Sequence, residues 1–199
     1  MICICGDSFG VTDSDYGPCW VDLLSANVEI QNLAQVCASN LMVARQVDRA
    51  IAAAPDGIVV LFTAVTRGET RYQGQITPYS IHSLDSTTPF SELQLSVLRN
   101  YTAEFFDLEL AIYRNQCIIE AVLHRLVCSQ IPFVFDQGGF EHLSYGSVKK
   151  YFAEYNQYRS DICLWDYADS RTHRPYYHIK NFATHRLIAN YYAKTINNF

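Results

Sequence analysis

Five short apolar runs set the frame of this sequence: Ile2 to Cys5, Val28 to Leu33, Gly57 to Thr63, Ile131 to Phe135 and Asp161 to Trp165. Longer segments with helical spacing lie between several of them. Strands that rejoin a sheet through helical crossovers run parallel, and helices on both faces bury them completely. Such strands therefore read as continuous apolar runs rather than alternating ones. The pattern predicts a three-layer α/β/α arrangement around a five-stranded parallel sheet. At 199 residues, 49% of them hydrophobic, the chain holds material for one well-buried core, and a single domain over residues 1–199 is expected.

Between the second and third runs, Ser39 or Asn40 is placed to cap a helix in which Leu41, Ala44, Val47 and Ile51 follow the 3.6 period, and which must stop before Pro55-Asp56-Gly57. A second helical pattern begins near Thr88-Pro89 and takes in Phe105, Leu108, Ile112, Ile119, Val122 and Leu126, with a break expected near Asn100. The final helix starts near Asn181 and carries Leu187, Ile188, Tyr191, Tyr192 and Ile196 on one broad face. Arg67 to Thr87 is polar without clear periodicity and is predicted to be a long loop, a class of segment that often carries function.

A net charge of −5 and a pI near 5.6, with no dense run of Lys or Arg, give no electrostatic footprint for phosphate backbones, so no nucleic-acid partner is expected. The apolar runs fall far short of the roughly 20 residues that span a bilayer, and no membrane partner is expected. Met1 leads straight into the first strand without the basic stretch and cleavage site of a secretory signal. The expected location is cytoplasmic, in the producing cell or an infected host, or a virion. Cysteines at 3, 5, 19, 37, 117, 128 and 163 lack C-x-x-C spacing and are expected as free thiols. Cys3 and Cys5, two apart on a strand, should share one face as small buried hydrophobes. The scattered His82, His124 and His142 suggest no metal site.

The chemistry concentrates at the end of the first strand, in Gly6-Asp7-Ser8-Phe9-Gly10. Glycines permit tight backbone there, and the serine would emerge at the carboxyl edge of the sheet, where open α/β sheets bind ligands. Ser8 could present its own N–H to an oxyanion, or simply cap the segment that follows. In chain order come Asn32 to Asn40 after the second strand, Phe62-Thr-Ala-Val-Thr-Arg67 after the third, and Asp169 to His178 before the last helix. Together these motifs resemble the SGNH (GDSL) hydrolases. Tyr176-Tyr177-His178 and the Phe62 to Arg67 variant also look like the divergent members that bacteriophages carry.

The resemblance implies a flavodoxin-like fold and a serine esterase or deacetylase that needs neither metal nor cofactor. Its substrate would be a small ester or an acylated carbohydrate. Ser8 stands at the nucleophile. Cys37 takes the place of a glycine whose N–H helps to bind the oxyanion, a role it keeps if a residue with a Cβ tolerates the required φ/ψ. Thr63 and Val65 fill the glycine and asparagine positions of the third motif, so one oxyanion donor is missing; Thr63, Thr66 and Arg67 are the candidates to replace it. Arg67 could also grip an acidic substrate group or pair with Glu69, and Asp7 is expected to help Arg67 contact substrate.

His178 is the expected base, with His173 as rival. Three residues before His178 stands Pro175, where the family has its aspartate. Asp169 or a backbone carbonyl would then orient the ring, giving a variant triad or a Ser8–His178 dyad. His185, inside the last helix, is expected to be structural. Three other readings remain open: Cys37 as nucleophile with a histidine base; a catalytically weakened domain that binds a glycan or serves as a phage structural or host-interaction component; and a nucleotide binder. The last needs a phosphate-cradling loop, for which Gly6 to Gly10 is short and acidic. The sequence leaves the oligomeric state open.

Overall fold

The expected parallel sheet forms in the computed structural model, which describes residues 1–11, 18–81, 84, 90–136, 153–160, 164, 179 and 182–196. β1 (Ile2–Cys5) lies between β2 (Ile30–Asn32) and β3 (Gly57–Leu61), and β6 (Phe133–Asp136) pairs with the far side of β3. All pairings are parallel, in the order β2-β1-β3-β6. Four of the five expected strands thus make the sheet; Asp161 to Trp165 lies, apart from Leu164, outside the described residues. A parallel bridge between Phe135 and Arg159, with the Ser160 N–H donating to the Phe135 carbonyl at 2.7 Å, begins to extend the sheet past β6.

Strand alternation divides the core into two. Cys3, Cys5, Ile58, Val60, Phe133 and Phe135 face one side, where they meet Val43, Val47 and Ala50 of α2 (Asn40–Ala53) and Ile119, Val122, Leu123 and Leu126 of α4 (Leu108–Ser129). Ile2, Ile4, Val59, Leu61 and Val134 face the other, under Trp20 and Leu24 of α1 (Trp20–Ser25) and Ile188, Tyr192 and Ile196 of α5 (Phe182–Ile196). The two central strands, β1 and β3, are therefore apolar throughout, whereas edge strand β2 carries Gln31 and Asn32 and β6 ends in Asp136. Cys3 and Cys5 share a face as expected, and burial pushes both thiols up from their ordinary range.

Two expectations are corrected. Residues 67–80 form no loop but an antiparallel hairpin, β4 (Arg67–Tyr72) and β5 (Gln75–Ser80), joined by Gln73 and Gly74 with φ of 46° and 80°. Two positive φ values in a two-residue connection suit the right-handed strand twist, and the glycine accepts one at no steric cost. The hairpin is a separate two-stranded sheet, half-exposed along most of its length, so its sequence shows no apolar alternation. The second helical pattern does break, but several residues later than Asn100. α3 (Glu92–Phe105) starts at Ser91, whose side chain and that of Gln94 form a capping box, and the break falls at Phe106-Asp107, where the Asp107 carboxylate caps α4. Among the described residues no helix is long and apolar enough to cross a membrane.

Candidate active site

The chain leaves β1, crosses to β2 on one side, and returns past β1 to β3 on the other. The crevice at the carboxyl ends of β1 and β3 is thus the switch point at which such sheets bind ligands. Gly6 to Gly10 rises from one wall and Phe62 to Arg67 from the other. A Cβ on Gly6 would sit 2.7 Å from the Leu61 Cβ, so the two walls can approach this closely only with glycine there.

Asp7 is fully buried and holds the crevice together. One carboxylate oxygen, Oδ1, accepts the Phe9 N–H at 3.0 Å and shapes the Ser8 turn. The other, Oδ2, accepts the Thr63 hydroxyl at 2.8 Å and lies 3.0 Å from Arg67 Nη1. A buried carboxylate needs such partners, because losing one leaves an uncompensated charge in low dielectric. Arg67 is itself buried, and Nη1 also reaches the Ala38 carbonyl at 3.5 Å. Asp7 and Arg67, expected to contact substrate, thus meet each other and hold two motif segments together. Thr63 donates its hydroxyl to Asp7 and its N–H to Asn40 Oδ1 at 2.8 Å, so both donors it has are engaged inside the protein. Its expected oxyanion role is corrected to support of Asp7. Val65, at the family's asparagine position, is buried and apolar.

Ser8 is half-buried at the top of the turn. On the second motif, the Ala38 N–H donates to the Gln35 carbonyl at 3.2 Å and closes a tight turn; Cys37 stands at its third position with φ of +60°. That left-handed geometry is where glycine ordinarily sits and costs an L-residue about 1–2 kcal/mol. Among the described residues, the three other non-glycine residues with positive φ are ordinary turn and helix-end positions, Ala54 and Gln130 after α2 and α4 and Gln73 in the hairpin. The Cys37 turn is fixed to the Gly6 to Gly10 segment through the Gln35 N–H, which donates to the Gly6 carbonyl at 3.1 Å. Among the described residues neither the Ser8 nor the Cys37 N–H has an acceptor.

Two side chains from α2 complete the frame, and sequence reading passed over both as site residues. Gln46 clamps Gly6: its Oε1 accepts the Gly6 N–H at 2.6 Å, and its Nε2 donates to the Gly6 carbonyl at 3.1 Å. Asn40 does the same for Thr63, accepting its N–H and donating to its carbonyl at 2.9 Å, and it also donates to Asn115 Oδ1 of α4 at 2.8 Å. Each amide acts as a short extra strand where pairing in the sheet has ended. Their signal was position, since Gln46 falls on the same face as Val43, Val47 and Ala50.

A hydrogen-bonded bridge spans the opposite side. Trp20 Nε1 donates to the Phe9 carbonyl at 2.7 Å, the Trp20 N–H donates to His185 Nδ1 at 3.1 Å, and His185 Nε2 lies 2.8 Å from the Ile179 carbonyl. Nδ1 accepts, so Nε2 carries the proton and donates. Both ring nitrogens are engaged, which makes His185 the structural residue expected. The bridge links the residue after Ser8 to the residue after His178. His178, His173 and Asp169 themselves lie outside the described residues, as do Tyr176 and Tyr177.

No protein-family model matches the chain, and no curated protein sequence does. Its architecture does match solved structures. One is a psychrotrophic esterase, EstA from Pseudoalteromonas sp., in a form inhibited by monoethylphosphonate, at 13% identity and a TM-score of 0.57 over 99% of this chain and 96% of that one. Another is a member of the lipolytic protein G-D-S-L family from Veillonella parvula DSM 2008, at 14% identity and 0.52 over 100% and 98%. With a serine turn after β1, a tight turn after β2 and a rebuilt segment after β3 in the same crevice, the chain has the fold of the SGNH (GDSL) hydrolases.

Proposed function

We propose that this protein is a serine hydrolase of small carboxylic esters, with acylated carbohydrates among its candidate substrates. Ser8 is the nucleophile, and His178 takes its proton, oriented by Asp169 or by a backbone carbonyl. The observation that carries this reading is the pair of N–H groups at Ser8 and Cys37 that have no acceptor among the described residues, one on the turn that bears the nucleophile and one on the turn hydrogen-bonded beside it. Donors left unspent on the protein's own carbonyls are what an oxyanion hole requires. Cys37 meets the condition set by the sequence, because it already adopts the backbone that glycine would.

In this reading the Ser8 oxygen attacks the ester carbonyl while its proton passes to His178. The negative charge that develops on the carbonyl oxygen is held by the two N–H groups. The protonated imidazole then gives its proton to the leaving alkoxide, and water, deprotonated by the same ring, releases the acid and restores the serine. Asp7 takes no part in the chemistry; it fixes the turn through Phe9 and Thr63.

Val65 favours a second reading. Without a side-chain amide there, the oxyanion hole lacks a donor whose loss typically costs about 2.7–4 kcal/mol, equivalent to a rate 10²–10³ lower, and a weakened domain that binds a glycan fits that loss. Hydrolysis of acetyl and butyryl chromogenic esters, with mass-spectrometric detection of phosphonate labelling, separates the two. The esterase reading expects turnover and one label on the wild type, with both lost in Ser8→Ala and activity down by about 10³-fold or more. Turnover absent from both proteins over a broad pH range, or labelling that survives Ser8→Ala, overturns it.

A further inference from the structure

α3 is 14 residues long and buries one of them, Leu95. Isolated helices of this length are marginal in water and depend on a packed face. The face turned to the body holds Leu95 and, one turn on, Arg99, whose Nη2 donates to the Leu84 carbonyl at 3.4 Å. The outer face is apolar as well. Leu93, Val97, Tyr101 and Phe105 recur every four residues with 75%, 59%, 55% and 71% of their surface exposed. The rings of Tyr101 and Phe105 lie 5.6 Å apart, and Leu108, Leu110 and Tyr113 carry the exposed apolar surface onto α4. Seven of the twelve large hydrophobic residues exposed among the described residues fall between positions 93 and 113, so this is a patch and not the usual scatter.

We propose that this patch is a self-association face, on which α3 packs against α3 of a second copy of the chain across a two-fold axis. Size is the first argument. The four ridge side chains alone expose on the order of 500 Å², at the upper end of the largest patch on a typical monomer, and exposed apolar residues of α4 extend this toward the roughly 800 Å² that each partner contributes to a standard interface. Shape is the second. Residues at every fourth position form a ridge, and two identical ridges of this kind interdigitate at a crossing angle of about −50°. A two-fold axis brings the same patch against itself, so the ridge needs no second surface to match it.

Charge is the third argument, and it selects the occupant. Between positions 92 and 113 the sole basic residue is Arg99, turned toward the body, while Glu92, Glu104, Asp107 and Glu109 supply a polar acidic rim. Nucleic acid and anionic membranes are bound by clusters of Lys and Arg; here two exposed arginines, Arg99 and Arg114, stand apart against four acidic residues. The rim also fixes the sign of the salt response: two like-charged rims repel, so screening strengthens the pairing.

Sedimentation velocity on the full-length protein tests this. The wild type is expected to sediment at about twice 22.7 kDa at tens of micromolar, and to hold or tighten as NaCl rises from about 0.05 to about 0.5 M. Val97→Glu and Phe105→Glu should each return it to 22.7 kDa with the far-UV circular dichroism unchanged. Leu187→Glu, at an exposed apolar position on α5, should leave the dimer intact. The proposal is overturned by a wild type that stays at 22.7 kDa up to about 100 μM, by dimer mass in both α3 variants, by dissociation in salt, or by a monomer that co-sediments with phosphatidylcholine/phosphatidylserine vesicles.

Discussion

α2 and α3 are both 14 residues long and both begin at a serine whose side chain accepts a backbone N–H, yet they stand in opposite relations to the rest of the molecule. α2 buries Asn40, Val43, Ala44, Gln46, Val47 and Ala50, and sends two of its polar side chains to the ends of β1 and β3. α3 buries Leu95 and leaves its apolar ridge in solvent. Equal length and a shared serine cap thus say little about what a helix contributes. The difference lies in what its second face meets: for α2 a sheet and a site, for α3 the open surface.

The comparison can be broken most forcefully at Gln46. Gln46→Leu keeps the bulk but leaves the Gly6 N–H and carbonyl without the side chain that clamps them, and is expected to cost about 2–4 kcal/mol in urea denaturation. A loss below about 0.5 kcal/mol would mean that water or a shifted neighbour serves Gly6 equally well. A matched pair tests the same contrast with one chemistry. Val47→Ala, at a fully buried site, should cost about 2–3 kcal/mol, whereas Val97→Ala should stay within about 0.5 kcal/mol when both are measured at concentrations that keep the protein monomeric. Equal losses would show α3 to be covered by the chain itself.

An effect smaller than those at Gln46 and Val47, and of opposite sign, is expected at the turn that leads into α2. Cys37→Gly removes the cost of a left-handed cysteine but adds freedom to the unfolded chain, for a net gain of about 0.5–1 kcal/mol in midpoint shift. No gain, or a loss, would mean that the thiol makes contacts worth more than the strain.

The sheet was legible because complete burial writes an unbroken apolar run, and β1 and β3 appear at every position as they do in the sequence. The β4-β5 hairpin was not. Both of its faces are partly wet, so residues such as Arg67, Glu69, Thr70 and Arg71 carry no period, and its turn uses Gln-Gly where Asn-Gly is the familiar mark. Around the site, motif order located Ser8 and Cys37, but pairings among polar groups have no sequence period. That Asp7 would spend its charge on Arg67, and Thr63 its hydroxyl on Asp7, follows from three segments meeting in a buried crevice, which only the fold brings about. The signs that were available were negative ones: Gln46 on an apolar helix face, and Val65 where a polar residue was due.

The bridge through Trp20 and His185 bears on the order in which the Ser8 turn gains its supports. It joins residues 165 apart, so the Trp20 that holds the Phe9 carbonyl is itself held by His185 only when α5 has docked. β1, β2 and β3 all precede residue 62, so the parallel pairing around the Ser8 turn needs none of α5, whereas the Trp20 anchor does. The setting of the Ser8 turn thus depends on a helix far along the sequence, and a chain in which α5 has not docked has its sheet without that support.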